Sequence, residues 1–230
     1  MRMDAPSFEN RRTQALARAR PLTDDSLARL ASLERPQRRL SQLFEDAQTL
    51  CVIGVADCVE SARHWLNAGA DALCVQDNGQ GRFEDWMENI WALSDFLRTH
   101  GRDCPLWLRT PLFEKIQVAE CLEAGTQTIS IYPPFDTPVV EAARLAGVEL
   151  VAQNDLSQAQ KNGLSLFCAT ALPKKIPTGV FLISDGVAET TTKADALARR
   201  GVRAFIVPSL AGDADQAAAL VSALKRPLPR

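Results

Sequence analysis

Acidic, amide and hydroxyl residues recur in this chain directly after short apolar runs, and that placement makes them candidates for chemistry. Asp57 follows TLCVIGVA, Asp77 and Asn78 follow DALCVQ, Arg109 and Thr110 end PLWLRT, and Tyr132 ends TISIY. Further on, Gln153 ends VELVAQ, Ser184-Asp185-Gly186 ends FLISDG, and Ser209 follows AFIVP. A carboxylate in a pocket can act as a general base, so Asp57, Asp77 and Asp185 are the candidate catalytic groups, with Gln153 beside them as a hydrogen-bonding amide. Asn78, Arg109, Thr110, Tyr132, Ser184, Gly186 and Ser209 are the candidate substrate-binding residues. The competing explanation is plain: strand ends that meet solvent are polar without being catalytic.

Other reactive side chains offer less. Asp57, Asp77, Asp155 and Asp185 have the oxygen ligands that Mg²⁺ takes, but such a site needs carboxylates converging from separate segments, so neither metal nor cofactor is expected. Cys51, Cys74 and Cys168 sit within apolar runs and read as small core residues. Cys58 follows the first run without a histidine placed to activate it, since His64 and His100 fall in or beside helical stretches. None of Lys115, Lys161, Lys174, Lys175, Lys193 and Lys225 lies within a strand-like run, which argues against a strand-borne Schiff-base lysine.

The elements that must position these groups alternate with regularity. Apolar, β-branched runs such as TLCVIGV, DALCV and VELVA are separated by amphipathic stretches such as ESARHWLNAGA and WMENIWALSDFLRTHG. The pattern predicts eight strands joined by helices or short crossovers, hence right-handed βαβ units and a parallel sheet closed into a (β/α)8 barrel. SQAQKNG and ALPKKIPTG, after the fifth and sixth strands, are the weakest crossovers. NRRTQALARAR and DDSLARLASL suggest two further helices, giving a helical extension over residues 1–46 and the barrel over 47–230. In such a barrel the polar strand ends gather at one face, and a small-molecule ligand is expected at that mouth.

Composition narrows the classes. A hydrophobic fraction of 46% and a charged fraction of 23% are those of an ordinary globular protein, and no apolar run approaches membrane-spanning length. The formal net charge of −2 argues against nucleic acid as the main partner, despite the arginines of residues 1–40. Cysteine usage without paired spacing fits a reducing cytoplasm, and MRMDAPSFENRR has no apolar core of a signal peptide. Trp65, Trp86 and Trp91 fall on the first two helices, where packing explains aromatic residues at helical spacing. A surface excess there would point to self-association or a partner protein.

Four segments in order, AGADALCVQD, PLWLRTPLFEKIQVAECLEAG, VFLISDGVAE and GVRAFIVPSLAGDADQAAAL, resemble the indole-3-glycerol-phosphate synthase family. The resemblance implies the barrel and helices ahead of it. It does not extend to the family's reaction. The family's first strand ends in a Glu-x-Lys motif and a Ser-Pro-Ser loop, whereas CVIGVADC runs into VESARHWL. Thr110 stands where the family has its proton-donating lysine, Gln153 replaces a glutamate, and Cys168-Ala169-Thr170-Ala171 replaces Asn-x-Arg-Asp. At the family's phosphate corner Gly186 persists, but Asp185 adds an anion and Pro208 removes an N–H donor. The expectation is a diverged barrel, a repurposed lyase, cyclase or isomerase; the alternative is a non-catalytic pseudoenzyme that binds or assembles.

Overall fold

The computed structural model describes residues 23, 25, 38–76, 83–133, 135, 137–186, 191–208 and 214–228. Short helix α1 (Leu40–Asp46) precedes β1 (Cys51–Val55), α2 (Val59–Asn67), β2 (Ala72–Gln76), α3 (Phe83–Thr99), β3 (Leu106–Arg109), α4 (Lys115–Glu123) and β4 (Thr128–Ile131). Then follow α5 (Thr137–Leu145), β5 (Glu149–Gln153), α6 (Leu156–Lys161), β6 (Leu166–Ala169), β7 (Phe181–Asp185), α7 (Thr191–Arg199), β8 (Val202–Val207) and α8 (Ala214–Leu224). The eight strands are all parallel, pair in sequence order and close on themselves through β1 and β8. The chain therefore folds as the (β/α)8 barrel that the alternation predicts.

The two weak crossovers are short for visible reasons. Helix α6 has six residues, started by Asp155, whose carboxylate accepts from the Gln158 N–H at 2.9 Å. Residues 170–180, with prolines at 173 and 177, form no helix at all. The helices expected in NRRTQALARAR and DDSLARLASL lie outside the described residues.

Two cores follow from the two periodicities. Outward-facing strand residues such as Val52, Leu73, Leu108 and Phe205 pack under the helices, where α3 contributes Trp86, Ile90, Leu93 and Leu97 at helical spacing. Gly54 lets a helix come close: a Cβ there would stand 2.3 Å from the Trp65 ring, whose indole N–H donates to the Val55 carbonyl. Inward-facing residues fill the barrel, among them Cys51, Ile53, Cys74, Trp107, Val151, Cys168, Ile183 and Ile206. Each large side chain buried in this way contributes about 1.5–3 kcal/mol of transfer free energy.

Helix α1 closes the bottom of the barrel. Leu40 and Phe44 are buried against the inner core, and the Phe44 ring lies 5.9 Å from that of Phe181. Its first turn is held by Glu149 at the start of β5, which accepts from Leu40 N at 2.7 Å, Ser41 N at 3.2 Å and the Ser41 hydroxyl. Thr128 donates to the same carboxylate at 3.2 Å. Nearby, Thr49 bridges to Pro227 and Leu228 N donates to Gln48 O, so the segment after α8 pairs with the one before β1. Among the described residues, no helix is long and apolar enough to cross a membrane.

Candidate active site

The two-residue strand period turns Trp107 and Arg109 inward from β3, and Ile183 and Asp185 inward from β7. Strands three and seven face each other across an eight-stranded barrel, so the two charged ends meet above its axis. Arg109 Nη1 donates to Asp185 Oδ1 at 3.0 Å and Nη2 to Oδ2 at 2.5 Å, a two-pronged pair. Thr170, just past β6, donates to Asp185 Oδ2 at 3.1 Å, and Gln76 at the end of β2 accepts weakly from Arg109 at 3.4 Å. The guanidinium also stands 6.0 Å from the centre of the Trp107 ring.

Burial sets the electrostatics of the pair. The Arg109 side chain is only 8% exposed and that of Asp185 27%. Burial disfavours both charges, yet each is favoured by the other. Desolvation is the largest single influence and pulls the Arg109 pKa down, but its hydrogen bonds to Asp185 together with the surrounding negative charge outweigh it, and the net shift is upward. Desolvation pushes the Asp185 carboxyl up, but the bonds and charge of Arg109, with Thr170, hold it below the usual carboxylate range. Asp185 is thus a permanent anion at neutral pH and a weak base. It suits orienting a ligand's donor better than removing a proton.

Beneath this pair lies a second polar layer. Ser130 on β4 is fully buried and accepts from the Trp107 indole N–H and the Gln153 amide, each at 3.0 Å. Gln153 is aligned with Cys168 across β5 and β6. Burial pushes the Cys168 thiol up to about 12, so it stays protonated and is no nucleophile. Cys74 is shifted the same way, chiefly by burial. Two buried side-chain atoms, Arg109 Nε and Gln153 Oε1, have no hydrogen-bond partner among the described residues.

The structure brings together some of the expected residues and separates others. Arg109 and Asp185 meet inside the mouth, with Tyr132 within electrostatic reach of Arg109, whereas Gln153 bonds to Ser130 instead. Asp57 does not join them: it is exposed and accepts from the Ser61 hydroxyl at 2.9 Å, beside the start of α2. Asp155 serves α6. Cys58 caps α2, its sulfur accepting from Ser61 N. Thr110 is fully buried, and Ser184 is nearly so, its hydroxyl 3.4 Å from the Gly186 carbonyl. Gly186 has φ +148° with open space around a notional Cβ. Asp77, Asn78 and Ser209 lie outside the described residues.

One sequence expectation needs correction. The reading of the phosphate corner sets the Asp185 charge against an incoming anion, but that charge points into the barrel and is matched by Arg109. Ser130, Trp107 and Thr170 are the residues that inspection of strand ends misses. A lone serine inside the apolar run TISI carried the signal for the first. Among the described residues, no cluster of three or more His, Cys, Asp or Glu could hold a metal ion.

No family model matches the chain, and a search of curated proteins found no match either. Solved structures do resemble it. Thiamine phosphate pyrophosphorylase from Pyrococcus furiosus aligns with TM-score 0.58 at 18% identity over 76% of this chain and 95% of its own. Ligand-free tryptophan synthase from M. tuberculosis gives 0.61 at 12% over 81% and 97%. A 2,3-dimethylmalate lyase of the PEP mutase/isocitrate lyase superfamily gives 0.58 at 17% over 80% and 85%. At such identities the likeness establishes the fold alone: the chain has the TIM-barrel architecture on which these enzymes are built.

Proposed function

We propose that this chain is a small-molecule enzyme of the lyase, cyclase or isomerase type, a diverged relative of the indole-3-glycerol-phosphate synthase barrel with its site at the mouth. The observation that carries this reading is the Arg109–Asp185 pair, a largely buried charged couple at the face where such barrels hold their ligands. Two charges are costly to place there, and a pure scaffold gains little from them that apolar packing would not supply. Arg109 is suited to stabilise negative charge growing on a ligand oxygen, and Asp185 to hold a hydroxyl or amine donor. Solved lyases and synthases of the same architecture support the general class. The family's own reaction is not part of the proposal, because the Thr110 hydroxyl is far too weak an acid at neutral pH to replace the lysine ammonium that the reaction requires.

The test is a ligand-observed NMR screen of small carbonyl compounds, hydroxy acids and sugar phosphates. Ligands of the mouth bind the native protein and fail to bind the Arg109→Lys and Asp185→Asn variants. Equal binding to all three places the ligand elsewhere and defeats the proposal. The family's carboxyphenylamino deoxyribulose phosphate substrate is expected to show no turnover above background.

The second reading, a non-catalytic barrel that assembles with itself or a partner, is favoured by one observation. Trp91 on α3 is 62% exposed. A stable oligomer that dissociates on Trp91→Ser, in a protein whose mouth takes no ligand from the screen, would favour it.

A further inference from the structure

Between helices α2 and α3 lies a cleft of about 150 Å³, lined by Arg63, Leu66 and Asn67 of α2, Phe96 of α3, and His100 and Arg102 just past it. Arg63, Leu66 and Asn67 stand three and four residues apart, so one face of α2 presents all three. Phe96 and His100 are likewise four apart. Arg102 is placed by the way α3 ends: Gly101 takes φ +60°, and the Arg102 N–H donates to the Leu97 carbonyl at 2.9 Å. Asn67, His100 and Arg102 sit at helix ends that lead into β2 and β3, so the cleft lies toward the end of the barrel opposite the mouth.

The lining sets unclaimed positive charge beside an aromatic surface. The Arg63 guanidinium stands 5.7 Å from the centre of the Phe96 ring, and the His100 ring 4.5 Å from it. His100 Nδ1 donates to the Phe96 carbonyl at 2.9 Å, which holds the imidazole beside that ring. Among the described residues no carboxylate lines the cleft, and neither Arg63 nor Arg102 has an ion pair or a side-chain hydrogen bond. An arginine near a helix C-terminus commonly caps the last carbonyls. Here backbone N–H groups already do so: Gly69 and Ala70 donate to Leu66 and Trp65 at the end of α2, and Gly101 and Arg102 to Arg98 and Leu97 at the end of α3. Both guanidiniums keep their donors for a ligand. We infer that this cleft binds a small aromatic carboxylate, its ring against Phe96 and Leu66 and its charge against Arg63 and Arg102. The volume is that of a cavity able to hold one benzene-sized ring, and a carboxylate matches the planar guanidinium fork. The site does not depend on the reading of the mouth.

The experiment titrates the isotope-labelled full chain with three probes: benzoate, benzyl alcohol, which has the ring without the charge, and acetate, which has the charge without the ring. Benzoate is expected to shift the Asn67 side-chain amide, the His100 ring and the Gly101 and Arg102 backbone amides, with the other two probes binding about fivefold more weakly or worse. Arg63 and Arg102 are exposed, so replacing them leaves the core intact. Arg63→Gln and Arg102→Gln are each expected to weaken benzoate binding about three- to fivefold, as partly solvated charge pairs do, and together about tenfold or more. Cleft signals that ignore benzoate, or that respond equally in the double variant, overturn the site. Acetate binding as well as benzoate overturns the aromatic assignment, and benzyl alcohol binding as well as benzoate overturns the role of the arginines.

Discussion

The two ends of the barrel are closed by carboxylates in opposite ways. At the bottom, Glu149 accepts from the Leu40 and Ser41 backbone, the Ser41 hydroxyl and Thr128, and all its partners are neutral groups of the protein. At the mouth, Asp185 faces a buried guanidinium, and Arg109 Nε and Gln153 Oε1 stay without a hydrogen-bond partner among the described residues. Completed hydrogen bonding serves stability, since a satisfied group has nothing to offer a ligand. The bottom therefore reads as a structural seal. The mouth keeps polar capacity in reserve, which is what a ligand site requires.

The sharpest way to break this contrast is to remove one member of each closure. Asp185→Ala leaves the buried Arg109 charge uncompensated and is expected to cost about 3–5 kcal/mol in urea denaturation. Glu149→Ala removes a cap and frees α1, with an expected cost of about 2 kcal/mol and faster amide exchange at Leu40 and Ser41. A cost at Glu149 equal to or above that at Asp185 would erase the distinction between the ends.

Acid sharpens it further. The folded-state pKa of Asp185 lies below its ordinary value of 3.8, so its contribution is present in full above that value and is lost as pH falls through the lower folded value. The stability gap between the native chain and Asp185→Asn is thus expected to be constant above about pH 5 and to narrow in stronger acid. A gap that widens with acid would contradict the pairing. The smallest effect belongs to Thr170→Val, which removes one partly solvated bond to Asp185 and is expected to cost about 0.5–1 kcal/mol in the same denaturation assay.

The architecture was legible because strand and helix periods write burial locally: VELVA and WMENIWAL declare themselves within a few residues. Helix α1 was not, since seven residues carry too little pattern, and Glu149, the group that holds its first turn, lies 109 residues from Leu40. The site was half legible. Arg109 and Asp185 could each be named as a polar strand end, but they are 76 residues apart and meet only because closure sets β3 opposite β7. Asp57 shows the converse. Its tie to Ser61, four residues on, is local, and a residue committed to a helix start looks in sequence like any other polar strand end.

The seam between β1 and β8 sets an order of events in time. It aligns Cys51 with Ala204, so its hydrogen bonds form only after most of the chain has been gathered, and loop entropy opposes it more than any pairing of successive strands. Closure is therefore expected to come late in folding. Cys51, Cys74 and Cys168, all free and buried in the barrel interior, are expected to react with a thiol reagent before that step and to be shielded after it. Their protection during refolding is a chemical clock for the closing of the ring.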